Sequence, residues 1–269
     1  MIPGRARLLD QVADLVRAAH IEIMRVYAGS VEATLKADSS PLTEADLASH
    51  RVLAEGLARL EPSLPVVSEE SGLPDPPSRG SWTAYWLIDP LDGTKEFLAR
   101  NDEFTVNVAL IEGHRATLGV VGVPARNQLF VGDVTRGLAQ RIDADGVHAL
   151  RARPYAGDHP TIVASRRHGA KKLARALQRL EEAEGTPELL SVGSALKLCL
   201  LAEGAADVYP RLAPTSEWDT AAAQAVLEAA GGAVLQLSGS PVTYNKADVI
   251  NPDFVAVADQ RVDWVEFFR

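Results

Sequence analysis

The chain has 269 residues, 46% of them apolar and 23% charged, with 20 Gly and 16 Pro scattered along it. That is enough for one or two domains sharing a substantial core, and it excludes a disulfide-stapled miniprotein, a disordered chain and a collagen-like repeat. With 27 Lys and Arg against 36 Asp and Glu the net charge is -9, so there is no basic footprint for nucleic acid or an anionic membrane surface, and a phosphorylated substrate would be repelled unless local cations reverse the field.

The N-terminal Arg5 and Arg7 are followed by Asp10 and Asp14, which interrupt any signal-peptide core. No stretch reaches the roughly 18 uninterrupted apolar residues of a membrane span, so the expected compartment is the cytoplasm. Leu8, Val12, Leu15, Val16, Ala19, Ile23 and Val26 recur at three- and four-residue steps and predict an amphipathic helix over 5–28 that ends near Gly29. A second helix is expected over 43–60, after Pro41. Short apolar runs at 65–67, 85–88, 104–111, 117–123 and 129–131 are each bounded by Gly, Pro or Asp, as strands are. That half predicts a helix pair on a mostly antiparallel sheet.

Between 133 and 160 the composition shifts to Arg, Asp, Gly and His, and the boundary between an N-terminal half, 1–135, and a C-terminal half, 136–269, is placed there. The second half predicts strands at 161–164, 189–192, 207–209, 233–235 and 254–257, and helices at 171–182, 194–203 and 217–230. It is an α/β half without internal repeats. Cys199, the single cysteine, sits in the apolar run Leu198-Cys199-Leu200-Leu201 and reads as a core thiol, so no disulfide or Cys-based metal site is available.

The chemistry is concentrated in four places. Trp86-Leu-Ile-Asp89-Pro90-Leu91-Asp92-Gly93-Thr94 puts an apolar strand before two carboxylates, a Gly and a hydroxyl; the carboxylates can converge on hard cations while Gly93 and Thr94 offer N–H groups to an anion. The same string also fits an Asx turn followed by a helix cap. Glu69 and Glu70 in Ser68-Glu69-Glu70-Ser71-Gly72 read equally as a solvated loop. Asp219, in Glu217-Trp218-Asp219-Thr220-Ala221-Ala222, fits a partner of the helix dipole. Thr43-x-x-Asp46 matches a capping box.

Taken together and in this order, these elements resemble the Mg-dependent, lithium-sensitive phosphatases that include inositol monophosphatase and fructose-1,6-bisphosphatase. Within them the chain is most similar to the bacterial 3'(2'),5'-bisphosphate nucleotidases of the CysQ type. The closer likeness rests on Lys36-x-Asp-x-Ser-Pro-Leu-Thr, on Asp92-Gly-Thr-Lys95-Glu96-Phe97 with Glu103-Phe-Thr-Val-Asn, and on Ser194-x-x-Lys197 with Asp207-Val-Tyr-Pro-Arg211. Glu217-Trp-Asp-Thr-Ala-Ala and Asn245-Lys246 complete it, so it spans roughly residues 5–257. Ser194-x-x-Lys197 also matches the S-x-x-K of penicillin-recognising enzymes, but neither S-D-N nor K-T-G occurs, and that match is set aside.

The resemblance implies an α/β (α+β) fold, a layered αβαβα sandwich with the active site between its halves. It implies that Glu69, Asp89, the backbone carbonyl of Leu91, Asp92 and Asp219 hold two or three Mg2+ ions. Every such ligand atom is a hard oxygen, and none of the six histidines or the cysteine has a Zn-like spacing. Were these four carboxylates and Asp46 to converge, each close pair would repel by about 4 kcal/mol at 4 Å and an effective dielectric of 20, so the site would demand cations, and the cations would draw in the phosphate.

By the same likeness Thr94, oriented by Asp46, polarises the attacking water, with Glu69 also contacting it through its metal. Gly93, Thr94 and Ser194 join the substrate site, Lys197 and Arg211 take a second phosphate, and His168 lies near an adenine. Solvated surface is the alternative for Lys197, Arg211 and His168. The implied reaction is hydrolysis of the 3'-phosphate of adenosine 3',5'-bisphosphate to AMP, and of the sulfated analogue to adenosine phosphosulfate, by a monomer or homodimer in the cytoplasm or peripheral to the inner membrane. The alternatives are an inositol or sugar phosphatase of the same fold, and a non-catalytic metabolite-binding regulator.

Overall fold

A computed structural model of the chain describes residues 4–29, 33–35, 41–164 and 170–269. The apolar stripe of the first helix, α1 (Arg5–Tyr27), is buried at Leu8, Val12, Val16, Ala19 and Ile23. Its first residue is no exposed N-terminal cation. Arg5 is 6% exposed, with Nε 3.1 Å from Asp133 and Nη1 2.6 Å from Glu112, and it clamps the helix onto the sheet below. A short antiparallel ribbon, β1 (Ala33–Leu35) with β2 (Pro41–Thr43), then leads into α2 (Glu44–Ala58).

Seven strands form the first sheet: β3 (Val66–Ser68), β4 (Ala84–Asp92), β5 (Thr105–Glu112), β6 (Arg115–Val123), β7 (Gln128–Asp133), β8 (Leu138–Asp143) and β9 (Gly146–Ala149), paired in chain order. Only the β3–β4 pair among them is parallel. Short helices α3 (Pro76–Gly80) and α4 (Thr94–Leu98) flank β4. The sheet runs on past residue 135 to Ala149 through β8 and β9, two strands not expected from the sequence. They lie at the sheet edge, mostly half-exposed, so their polar composition does not prevent pairing.

The second sheet takes β10 (Thr161–Ala164), β11 (Glu188–Ser191), β12 (Val208–Arg211), β13 (Ala233–Gln236) and β14 (Phe254–Val257) in the order β11-β10-β12-β14-β13. β10 is parallel to both β11 and β12, whereas β14 is antiparallel to β12 and β13. The helices of this half are α5 (Ala170–Glu184), α6 (Leu196–Ala202), α7 (Glu217–Ala229) and a short α8 (Trp264–Phe268) that was not expected.

The layers follow from which faces are apolar. α1 and α2 cover one face of the seven-stranded sheet, and α6 and α7 fill the space between the two sheets. α5 and α8 close the outer face of the five-stranded sheet, giving the expected αβαβα sandwich. α7 is pressed onto the first sheet because its inner positions are Ala221, Ala222, Ala223 and Ala225 and because the strands beneath it carry Gly119 and Gly132, which are register partners. A Cβ on Gly119 would sit 2.1 Å from the Ala222 carbonyl oxygen, and one on Gly132 2.5 Å from the Val226 Cα. That close approach fixes the height of α7, and so of its N-terminal carboxylate, above β4 and β5.

Candidate active site

In a regular strand, residues three apart point to opposite faces, so Asp89 and Asp92 should diverge. They do not, because β4 is irregular between them: Asp89 pairs with Asn107 while Asp92 pairs with Thr105. The extra residue falls at Pro90-Leu91, where a proline that cannot donate to the ladder is tolerated. Both carboxylates therefore face α7. Glu69 follows β3 on the same face, its N–H donating to the Ile88 carbonyl at 3.2 Å.

Glu69, Asp89 and Asp219 each bring a carboxylate oxygen within 4.8 Å of the other two. Asp89 is 1% exposed, and burial, then the charges of Glu69, Asp92 and Asp219, push its carboxyl well above the usual range. Asp92 rises to about 6, first through burial, with Lys197 opposing and Glu69 adding to the shift. Asp219 rises to about 8 through burial and then the charge of Asp92. Asp89, Asp92 and Asp219 resist ionisation first because of burial and then because of one another's charge, and hard cations fit the all-oxygen donor set they form with Glu69. Gly93 terminates the strand with φ 88 and starts α4.

The cap readings and the site readings turn out to be compatible. Asp219 is the third residue of α7 and accepts from the Ser216 N–H at 2.9 Å through Oδ2; its other oxygen is left for the cluster. Asp46 completes the capping box of α2, with Oδ2 accepting from the N–H and hydroxyl of Thr43 at 2.7 and 2.6 Å. Its Oδ1 is 3.4 Å from the Thr94 hydroxyl, which is also 3.4 Å from the Leu91 carbonyl oxygen. The Thr94 hydroxyl thus lies between two acceptors, the Asp46 carboxylate and the carbonyl between the two strand aspartates, and its one proton can serve either.

On the other side of the cluster lies a cleft of about 150 Å³ whose lining includes Asp92, Gly93, Ser194, Lys197, Arg211 and Asp219. Lys197 is no surface cation: it is 6% exposed, donates to the Ser194 carbonyl at 2.6 Å and lies 5.6 Å over the Tyr209 ring. Burial lowers its ammonium to about 8, while Asp92 partly holds it up. Arg211 is half-exposed, its guanidinium fixed by the Ala213 and Pro214 carbonyls at 3.1 and 3.0 Å. Ser194, at φ 46, hydrogen-bonds the Glu103 carbonyl, and the Gly193 N–H donates to the Glu103 carboxylate at 2.8 Å. That left-handed residue is why α6 begins at Leu196 and not at 194. His168 lies outside the described residues, as do Lys36, Asp38, Ser39 and Ser40.

Several supporting residues were not singled out from the sequence. Thr105 and Asn107 on β5 reach Asp92 Oδ2 at 3.3 and 3.4 Å, and the Ser49 hydroxyl donates to the Pro90 carbonyl at 2.7 Å, tying α2 to the irregularity in β4. Glu217, 1% exposed, accepts from the N–H groups of Asn245 and Lys246 and from Lys246 Nζ at 2.9, 3.0 and 2.6 Å. Thr105, Asn107, Glu217 and Asn245-Lys246 carried a sequence signal, as parts of the motif; Ser49 is an ordinary residue type whose role depends on register.

A model of the inositol monophosphatase family matches residues 6–262. The 3'(2'),5'-bisphosphate nucleotidase CysQ of Shigella flexneri is 46% identical over 257 residues, covering 92% of this chain and 98% of that protein, and its namesake in Haemophilus influenzae is 35% identical over 271 residues, covering 100% and 99%. Among solved structures, CysQ from Bacteroides thetaiotaomicron superposes with a TM-score of 0.83 at 36% identity, covering 94% of this chain and 98% of that one. The Thermotoga maritima IMPase, at 20% identity and a TM-score of 0.78 over 98% of this chain and 96% of that one, shares the fold. The chain belongs to the inositol monophosphatase family.

Proposed function

We propose that the chain is a Mg2+-dependent 3'(2'),5'-bisphosphate nucleotidase that hydrolyses the 3'-phosphate of adenosine 3',5'-bisphosphate to AMP and phosphate. The observation that carries this reading is a carboxylate cluster at Glu69, Asp89 and Asp219, of which Asp89 is buried, adjoining a cleft lined by Asp92 and Asp219 together with the cations Lys197 and Arg211. A substrate with one reacting and one non-reacting phosphate matches that pairing. The names of relatives at 35–46% identity point the same way.

Glu69, Asp89, the Leu91 carbonyl, Asp92 and Asp219 would hold the ions. Bound Mg2+ supplies Lewis-acid charge to the phosphate oxygens and the leaving oxygen and lowers the pKa of a water. The chain's own residues do the orienting. Thr94 donates to Asp46 Oδ1, which leaves its hydroxyl oxygen to accept a hydrogen bond from the attacking water. Since Asp46 is already satisfied by Thr43 at its other oxygen, it fixes the Thr94 rotamer. Gly93, at positive φ and with no side chain, lets the backbone approach the phosphate; a Cβ there would meet Ser194 Oγ at 2.8 Å. Lys197 and Arg211 hold the phosphate that does not react, and Ser194, its hydroxyl donating to the Glu103 carbonyl and its carbonyl accepting from Lys197, positions that cation. Water oxygen adds to phosphorus as the bond to the 3'-oxygen breaks, and no phosphoenzyme forms.

Phosphate release from adenosine 3',5'-bisphosphate, inositol 1-phosphate and fructose 1,6-bisphosphate, each with Mg2+ and with EDTA, tests this. The expected result is fastest turnover of the bisphosphate nucleotide, abolished by EDTA. Preference for inositol 1-phosphate would favour a sugar phosphatase, and silence on all three a binding protein.

A further inference from the structure

A second groove lies on the outer side of the five-stranded sheet, between α5 and α8 and beside the loops around β12, β13 and β14. It encloses about 750 Å³ and is lined by Lys172, Arg175, Arg179, Arg269 and Asp253 over an apolar floor of Leu212, Leu237 and Phe268. That volume is in the range of small-molecule sites. Lys172, Arg175 and Arg179 follow one another at three- and four-residue steps and share one face of α5. Four cationic side chains and one acidic side chain line it, in a chain whose net charge is -9.

Three of those cations are already engaged. Lys172 Nζ is 2.9 Å from Asp253, Arg179 donates to the main-chain oxygens of Phe267 and Arg269 at 2.7 and 2.8 Å, and Arg269 donates to the Leu237 carbonyl at 2.8 Å. These contacts brace the groove around its apolar floor. Arg175, in the middle of the row, has no hydrogen-bond or ion-pair partner among the described residues. The groove also backs onto the cleft. Arg211 and Phe254 are register partners that line the cleft, and their chain neighbours Leu212 and Asp253 line the groove.

We propose that this groove binds a small amphiphilic anion, a single sulfonate, sulfate, phosphate or carboxylate on an apolar or aromatic body, with Arg175 taking the charged group and Leu212, Leu237 and Phe268 the body. The proposal is independent of the reaction assigned to the cleft. The probe is 8-anilinonaphthalene-1-sulfonate, whose carbon–sulfur bond no phosphatase cleaves, titrated by fluorescence against the full chain. Saturable one-to-one binding is expected. A charge-assisted hydrogen bond is worth enough that Arg175→Ala and Arg175→Glu should each weaken it by about tenfold or more, with an unchanged melting temperature because Arg175 is exposed. Lys197→Ala, in the cleft, should leave it unaltered. Non-saturable binding, binding insensitive to both Arg175 variants, or binding lost in Lys197→Ala would each overturn the proposal.

Discussion

The carboxylates of the cluster carry opposed demands, since the fold gathers them within 4.8 Å of one another and the proposed chemistry needs them ionised. Asp89, Asp92 and Asp219 all have raised pKa values, the last two at about 6 and about 8 against an ordinary 3.8. Between pH 4 and 8 the folded, cation-free protein therefore keeps protons that the unfolded chain has released. Folding stability in that window falls as pH rises. The melting temperature in EDTA is accordingly expected to decrease from pH 5 to pH 8, with a shallower slope in Asp219→Asn because Asp89 keeps its own share; a flat or rising profile would contradict these raised carboxyl pKa values. Adding Mg2+ at pH 8 should raise the melting temperature and release protons. Asp92→Asn and Asp219→Asn should each lower kcat by orders of magnitude without lowering the EDTA melting temperature, because each removes a ligand charge and also a repulsion. An Asp219 that only complemented the helix dipole would instead cost about 1 kcal/mol or less of stability and leave turnover intact.

Two helix starts do double duty, each spending one carboxylate oxygen on its cap and leaving the other for the site: Asp46 on α2 and Asp219 on α7. A capping role and the proposed site role are therefore compatible at each of these aspartates. What the sequence could not disclose was the irregularity in β4. Pro90 hinted at a break in the ladder, but only the pairing of Asp89 with Asn107 and Asp92 with Thr105 shows that both aspartates face α7. The N-terminus of α7 is in turn held by Glu217, buried against Lys246 and the Asn245 and Lys246 amides. Lys246→Met would leave that carboxylate buried and short of its cation, at a cost of about 3 kcal/mol. The expected outcome is a lower melting temperature together with a higher Mg2+ concentration for half-maximal activity, since Asp219 lies two residues on. A variant as stable as the parent, with unchanged Mg2+ dependence, would remove Glu217 and Lys246 from any positioning role.

Across the whole molecule, long amphipathic or Ala-rich helices and apolar strands were legible because their burial patterns repeat locally. α1 and α7 follow their expected bounds to within a residue or so. The edge strands β8 and β9 and the short α8 were not legible, because they are held by neighbours distant in sequence and carry little periodicity of their own. The site shows the same division: every carboxylate of the cluster came from a motif, and Thr105, Asn107 and Tyr209 lay inside motifs without their contacts being legible, whereas Ser49 owes its place to tertiary register alone. The sandwich explains how a chain of net charge -9 can receive a doubly phosphorylated ligand. Its second half supplies Lys197 and Arg211 to a cleft whose acidic end comes largely from the first.

Whether Lys197 and Arg211 grip the second phosphate is decided by kcat/KM of Lys197→Ala and Arg211→Ala on adenosine 3',5'-bisphosphate and on inositol 1-phosphate. A charge-assisted hydrogen bond contributes about 1.5–3 kcal/mol, or roughly tenfold to more than a hundredfold. Each variant should lose that much on the bisphosphate nucleotide, mainly in KM, and little on inositol 1-phosphate, which has no second phosphate to hold. Equal losses on both substrates would contradict it and assign these cations to the fold or to the reacting phosphate.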